Sequence, residues 1–260
     1  MHLMRLLTVC AAAVLVSAGP ALAEEWGSLK GQVTFTANPP KLNPKAVTKD
    51  QQHCLSRGPI PDETWVINPK NKGLRWVVIW LVVDNGGKAD HTAVPAIHES
   101  LARPAQKEVV MDQPCCKFEP HIAVVRKGQD FVGKNSSPIA HNMNLTSIRG
   151  PNKNQVVPPG GKFTVKENEW RPNHLPVKVN CNIHPWMSGY VFCISHPYFA
   201  VTDEDGKFEI KNAPAGKFRL VVWHEEGWLA GEAGKPPDRN GMPIEIKANK
   251  ERNVDIAVGK

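Results

Sequence analysis

The feature that most constrains this chain is a seven-residue segment, Cys181-Asn182-Ile183-His184-Pro185-Trp186-Met187, read together with His141 forty positions upstream. One short loop presents a thiolate, an imidazole and a thioether. A second imidazole has to reach it from a distant segment, Ala140-His141-Asn142-Met143-Asn144. The fold must therefore bring two backbone segments together at one point. The donor mixture suits copper: two His nitrogens and a Cys sulfur in a plane, with a weak axial Met, hold Cu(I) and Cu(II) with little ligand movement. Zinc would need a fourth hard or thiolate ligand and gains nothing from Met187. A dinuclear copper centre would need a second Cys inside the loop, and there is none. The residues thus point to one copper ion held by His141, Cys181, His184 and Met187.

The wording of the segment adds to this. Cys181 to Gly189 reads CNIHPWMSG, and upstream stand Lys117-Phe118-Glu119-Pro120-His121, then IAVVRKGQDFVGKN from Ile122 to Asn135, then Ile139-Ala140-His141-Asn142. This order resembles the amicyanin-type cupredoxins, the blue copper proteins, over roughly residues 105–195. The resemblance implies a Greek-key β-sandwich and a type 1 copper ion on the four residues named. It also implies that Asn142 steadies the ligand loop and hydrogen-bonds near the Cys181 sulfur. The protein would carry single electrons and would not be an enzyme. It further implies that the His184 edge is an exposed route for electrons, where a redox partner protein would dock. The chain departs from the family in lacking an aromatic rhythm at Val177-Lys178-Val179-Asn180 and in carrying Cys116 and His121.

The chain starts with Arg5, an apolar run from Leu6 to Val16, and Ala21-Leu22-Ala23. This reads as a cleaved signal peptide over residues 1–23, its apolar run too short to span a bilayer. No later stretch is long and apolar enough to span. The expectation is a periplasmic or secreted protein, with about 237 of the 260 residues left to build one or two domains. Lys and Arg number 32 against 25 Asp and Glu. The excess is spread thinly and reads as a solubilising surface; an acidic redox partner or an association with the anionic envelope is the alternative. Nothing resembles a nucleic-acid motif.

Abundant Pro and Gly between short periodic segments predict an all-β chain. Strands are expected at 29–35, 64–68, 74–84, 122–125, 130–134, 143–146, 162–166, 177–181 and 190–194. Residues 86–108 read as a linker with a helical turn near His98 to Ala102. The run LRWVVIWLVVD from Leu74 is almost continuously apolar, as in a strand buried on both faces. Further on, Thr202-Asp203-Glu204-Asp205-Gly206 forms a hairpin turn and Ala213-Pro214-Ala215-Gly216 a second turn. This order resembles the carboxypeptidase regulatory-like, or transthyretin-like, β-sandwich. That family's opening strands are absent just before residue 198, but Gly31-Gln32-Val33 and Val77 to Leu81 fit them. The expected organisation is therefore a cupredoxin (105–195) inserted between the two parts of a second small sandwich (24–104 and 196–260). A tandem pair of domains is the simpler alternative.

Of the six cysteines, Cys10 goes with the signal peptide and Cys181 with the metal, leaving Cys54, Cys115, Cys116 and Cys193, and four cysteines allow three pairings. A Cys115–Cys116 bridge would be strained. Two pairings are left; adjacent strand residues face opposite ways, and of the two Cys54–Cys116 with Cys115–Cys193 is preferred, with one bridge and two free thiols as the equal alternative. His121, His174, His196 and His224 lack metal-ligand spacing and read as structural or surface histidines. Asp203 and Asp205 are explained by the turn. Two other functions fit the same residues: copper delivery, and an envelope- or carbohydrate-binding module with a vestigial copper site.

Overall fold

The computed structural model describes residues 25–259; the signal-peptide segment lies outside the described residues. The chain is all-β, and its strands form two sandwiches. In the first, Trp26–Phe35 pairs antiparallel with Lys207–Pro214 and parallel with Glu251–Asn253 and Ile256–Val258. Facing it, Val78–Asn85 lies between Phe199–Val201 and Gly216–His224, and the latter pairs on with Met242–Ile246. Strands from both ends of the chain thus complete each other: Gly31 is opposite Phe208, and Leu81 is opposite Leu220. Leu29, Val33, Ile79, Leu81, Phe208, Leu220, Val222 and Ile244 fill the space between the sheets.

The second sandwich comes entirely from the intervening chain. One sheet runs in the order Ile122–Arg126, Ser188–Ile194, Val177–Asn180, His141–Thr146, Lys153–Val157. The other is Glu108–Met111, Asp130–Lys134, Lys162–Val165. Phe118, Phe131, Met143, Leu145, Val179 and Val191 are buried between them. A third apolar cluster joins the two sandwiches. Val78, Trp80, Val82, Val221 and Trp223 pack on Ile122, Val124, Phe192 and Ile194. The strand at 78–85 therefore points alternate side chains into two different apolar layers, which is why its sequence does not alternate.

Several expectations are corrected. Residues 64–68 are not a strand and make only a single bridge, Ile67 to Leu74. Local side-chain bonds compete with a ladder there: Asn68 Oδ1 accepts from Lys70 N at 2.9 Å and Asn71 Oδ1 from Gly73 N at 2.8 Å. The stretch at 86–108 is not wholly irregular, since Lys88–Asp90 pairs back on Val78–Asn85. A short 3₁₀ turn, Glu99–Leu101, does lie within it. Lys153–Val157 is a strand that was not expected: its largely exposed edge position leaves no apolar alternation to read.

One disulfide joins Cys54 and Cys116, with Cα atoms 5.3 Å apart. The second bridge, Cys115–Cys193, does not form; both thiols are free and buried. The argument from strand alternation fails because residues 115 and 116 lie in a turn, with Cys116 in the left-handed region (φ 53°). Cys115 Sγ consequently sits beside the carbonyls of His53 and Cys54, at 3.8 Å from each. Cys193 lies on the strand Ser188–Ile194.

Candidate metal centre

Register puts the donors at one end of the second sandwich. Val177–Asn180 and Ser188–Ile194 are antiparallel with Asn180 opposite Ser188, so residues 181–187 form the loop that closes this hairpin. His141–Thr146 lies on the other side of Val177–Asn180 with Asn144 opposite Asn180, which brings its first residue, His141, to the loop. Cys181 Sγ is 4.0 Å from His141 Nδ1 and 3.8 Å from His184 Nδ1. The two imidazole rings are 4.5 Å apart. Met187 is buried on the same loop, where its N–H donates to His184 O and its carbonyl accepts from Cys181 N.

Two backbone N–H groups approach the sulfur, from Asn142 at 3.5 Å and from His184 at 3.4 Å. Asn142 also ties the loop to its neighbouring strand. Its Oδ1 accepts from Asn182 N at 2.5 Å and from Ile183 N at 3.4 Å, and its Nδ2 donates to Asn154 Oδ1 at 2.6 Å.

Both histidines are completely buried. Burial pushes the His141 imidazole down to about 4, reinforced by the nearby His184 and His53. Burial also lowers the His184 imidazole, opposed by Asp50. Both rings are therefore neutral at neutral pH, as metal ligation requires. Bonds of about 2.0–2.3 Å to one ion at a trigonal angle put N and S donors roughly 3.6–3.9 Å apart. The 3.8 Å separation falls in this range and the 4.0 Å separation lies just beyond it, so the residues fit a single ion with a small adjustment.

The expected exposed His184 edge is absent. His184 Nε2 lies 2.8 Å from Asp50 Oδ2, and the segment carrying Asp50 covers the ring. That segment leads through a one-turn helix, Gln51–Cys54, into the disulfide. Sequence reasoning missed Asp50 and His53, which lie far from the loop in a stretch with no periodicity; only the disulfide candidate Cys54 hinted that this stretch is anchored. Trp186 packs on the core and donates its indole N–H to Cys116 O at 3.1 Å.

The remaining histidines do not join the cluster. His121 Nε2 pairs with Glu225 Oε1 at 2.9 Å, His224 stacks on Trp65, and His174 lies against His91. His196 Nδ1 accepts from Tyr198 N. Among the described residues one other donor group gathers, Cys54 and Cys116 with His184, and its two sulfurs are bonded to each other. No helix among the described residues is long and apolar enough to cross a membrane.

No family model matches the chain, and no curated protein matches it. Parts of the chain are similar to solved structures. A purple cupredoxin from Nitrosopumilus maritimus is 18% identical over 32% of this chain and 97% of its own, with a TM-score of 0.27. A Cu(I) form of an amicyanin mutant is 18% identical over 35% of this chain and 87% of its own, with a TM-score of 0.30. A Cu-containing nitrite reductase from Thermus scotoductus SA-01 is 18% identical over 40% of this chain and 26% of its own, also at 0.30.

Proposed function

We propose that this protein is a mononuclear copper protein of the type 1 class that passes single electrons by Cu(II)/Cu(I) cycling. The observation that carries the reading is the buried thiol of Cys181 with two neutral imidazole nitrogens turned towards it at 3.8 and 4.0 Å. Copper bound there would supply the one-electron redox couple. His141, Cys181, His184 and Met187 would hold it. The protein's own contribution is rigidity. Asn142 pins the loop from the adjacent strand, and the two N–H groups at the sulfur offset its negative charge in a site closed to water.

On the same reading, residues 105–195 are the copper module, nested in a regulatory-like sandwich made from 24–104 and 196–260. The mature protein is periplasmic or secreted, and it exchanges electrons with a redox partner protein. The closure of the site favours electron transfer over copper delivery, because a delivery protein must release its ion readily. Visible and electron paramagnetic resonance spectra of the copper-loaded chain test the proposal. An intense thiolate-to-copper band at one copper per chain is expected. A colourless copper complex would sink it.

A further inference from the structure

The cover over His184 is an unusual use of chain. Residues 47–54 precede the ligand loop at 181–187 by more than 120 positions, yet Val47 and Cys54 are buried in the same apolar cluster as Cys181 and Met187. Asp50 stands at the turn into the one-turn helix in the left-handed region, φ 47° and ψ 38°, which Asp tolerates better than most side chains. A carboxylate only accepts, so the contact at 2.8 Å puts the His184 proton on Nε2 and leaves the Nδ1 lone pair facing Cys181. Four residues on, Cys54 is fixed to Cys116, whose carbonyl accepts from Trp186 of the ligand loop. The cover is thus tied to the loop it covers.

We propose that residues 47–54 form a latched cap on the copper site: Asp50 is a positioning residue that fixes the His184 ring through Nε2, and the Cys54–Cys116 disulfide is the latch that keeps it there. This rests on the copper reading above and adds its regulation. With the latch closed, no partner reaches the His184 ring directly. Opening it takes a dithiol reductant. One thiolate of the reductant attacks one bridge sulfur, the S–S bond breaks, and the other cysteine leaves as thiolate. The second thiol of the reductant then resolves the mixed disulfide. Cys54 and Cys116 end as thiols, and the reductant ends as a disulfide, having given two electrons and two protons. A cavity of about 270 Å³ lined by Cys54, Arg57, Ile60, Cys115 and Lys117 adjoins the Cys54 side of the bridge, and both bridge cysteines are buried, so attack on the bridge requires local opening at this cavity.

The test uses the full mature chain as wild type, Asp50→Ala, Asp50→Glu and the double variant Cys54→Ser/Cys116→Ser. Two quantities are read: solvent exchange of the His184 Nε2–H by nuclear magnetic resonance in the copper-free chain, and the rate of Cu(I) loss to a chelator. Asp50→Ala and the double variant should each speed both by about tenfold or more, the usual scale for removing the outer partner of a ligating histidine. Asp50→Glu should recover part of the effect, which a general loosening of the fold would not allow. If Asp50→Ala leaves both within twofold of wild type, the positioning role is overturned. If a folded double variant does so, the latch is overturned; if that variant does not fold, Asp50→Ala alone decides. The exchange measurement needs no metal, so it tests the cap even if the copper reading fails.

Discussion

The two sandwiches treat their buried polar groups in opposite ways. In the sandwich built from both chain ends, several such groups are satisfied on the spot, although Arg75 Nε and Trp76 Nε1 beside it have no partner. Thr202 Oγ1 donates to Leu74 O and accepts from Val77 N, and Arg219 donates to the carbonyls of Asn240 and Gly241. In the central sandwich, a thiol and two imidazoles are buried facing one another, with no full set of partners, and His141 Nε2 has none. A buried polar group without partners is costly. A bound ion would take the Cys181 sulfur and the two Nδ1 atoms that face it, while His141 Nε2, on the far side of its ring, would stay without a partner. One sandwich is thus organised for stability and the other around a point.

The sharpest way to break this contrast is Cys181→Ala. It should abolish the thiolate-to-copper band completely while leaving the far-ultraviolet circular dichroism unchanged. Met187→Ala should only shift the colour and the potential. Full retention of the band in Cys181→Ala would show that the convergent cluster is not the metal centre.

The next largest effect concerns the outer sandwich as a unit. Residues 196–260 contain Lys207–Pro214 and Gly216–His224 but not their partners Trp26–Phe35 and Val78–Asn85. Expressed alone, this fragment would expose the apolar faces of Phe208, Phe218, Leu220 and Val222 and leave open strand edges. It should show no cooperative unfolding and no slow amide exchange. A protected, folded fragment would favour tandem domains over nesting.

Leu81→Ala addresses stability without touching the donors. Leu81 is fully buried in the outer core. Its truncation should cost about 2–5 kcal/mol in denaturant unfolding, with the position of the copper band unmoved. A band that shifts with this substitution would mean that the two sandwiches do not act separately.

How much of this the sequence disclosed follows from what each signal depends on. The donor loop was readable because Cys181, His184 and Met187 lie within seven residues. Strands such as 122–126 and 130–134 were readable from apolar runs ended by turn residues. The edge strand Lys153–Val157 was not, since solvent on most of its length removes the pattern. Nor was the Asp50–His184 contact. It is a pairing across 134 positions made by two side chains, and no local periodicity encodes such a meeting. The disulfide was half readable. Cys54–Cys116 was named, but the partner of Cys115 depended on a turn at 115–116 that the alternation argument took for a strand.

Acid should act through the outer sandwich, the seam beside it and, in the copper-free chain, the donor cluster, where His141 is also held down at about 4. Burial holds the imidazoles of His196 and His224 down at about 4. In the unfolded chain they titrate near 6.5, so between these values the unfolded state binds more protons. Stability is then full above about pH 6.5 and falls as the pH drops towards 4, by at most about 3 kcal/mol per histidine. Carboxylates such as Asp130, held low by Lys166, act below this window. Urea midpoints of the copper-free chain measured from pH 7 to 4.5 check this. A flat profile would mean that these two rings are hydrated or protonated in the folded state.

The smallest effect belongs to Cys193. It sits on the strand that leaves the ligand loop and is buried in the same apolar cluster as Cys181 and Met187. Burial pushes its thiol up to about 12, so almost none is thiolate at pH 8. Iodoacetamide should leave it unmodified in the folded chain. Denatured without reductant, the copper-free chain should take up three alkyl groups, on Cys115, Cys181 and Cys193, because the other two described cysteines are bridged. Cys193→Ala removes one small apolar group and should cost about 1 kcal/mol with no change in the copper spectrum. Mass spectrometry that finds a single alkyl group would mean that Cys115 and Cys193 are bonded in solution. Cys193 would then be a second anchor between the cap region and the copper sandwich, and the contrast between a satisfied shell and a convergent site would need redrawing at that strand.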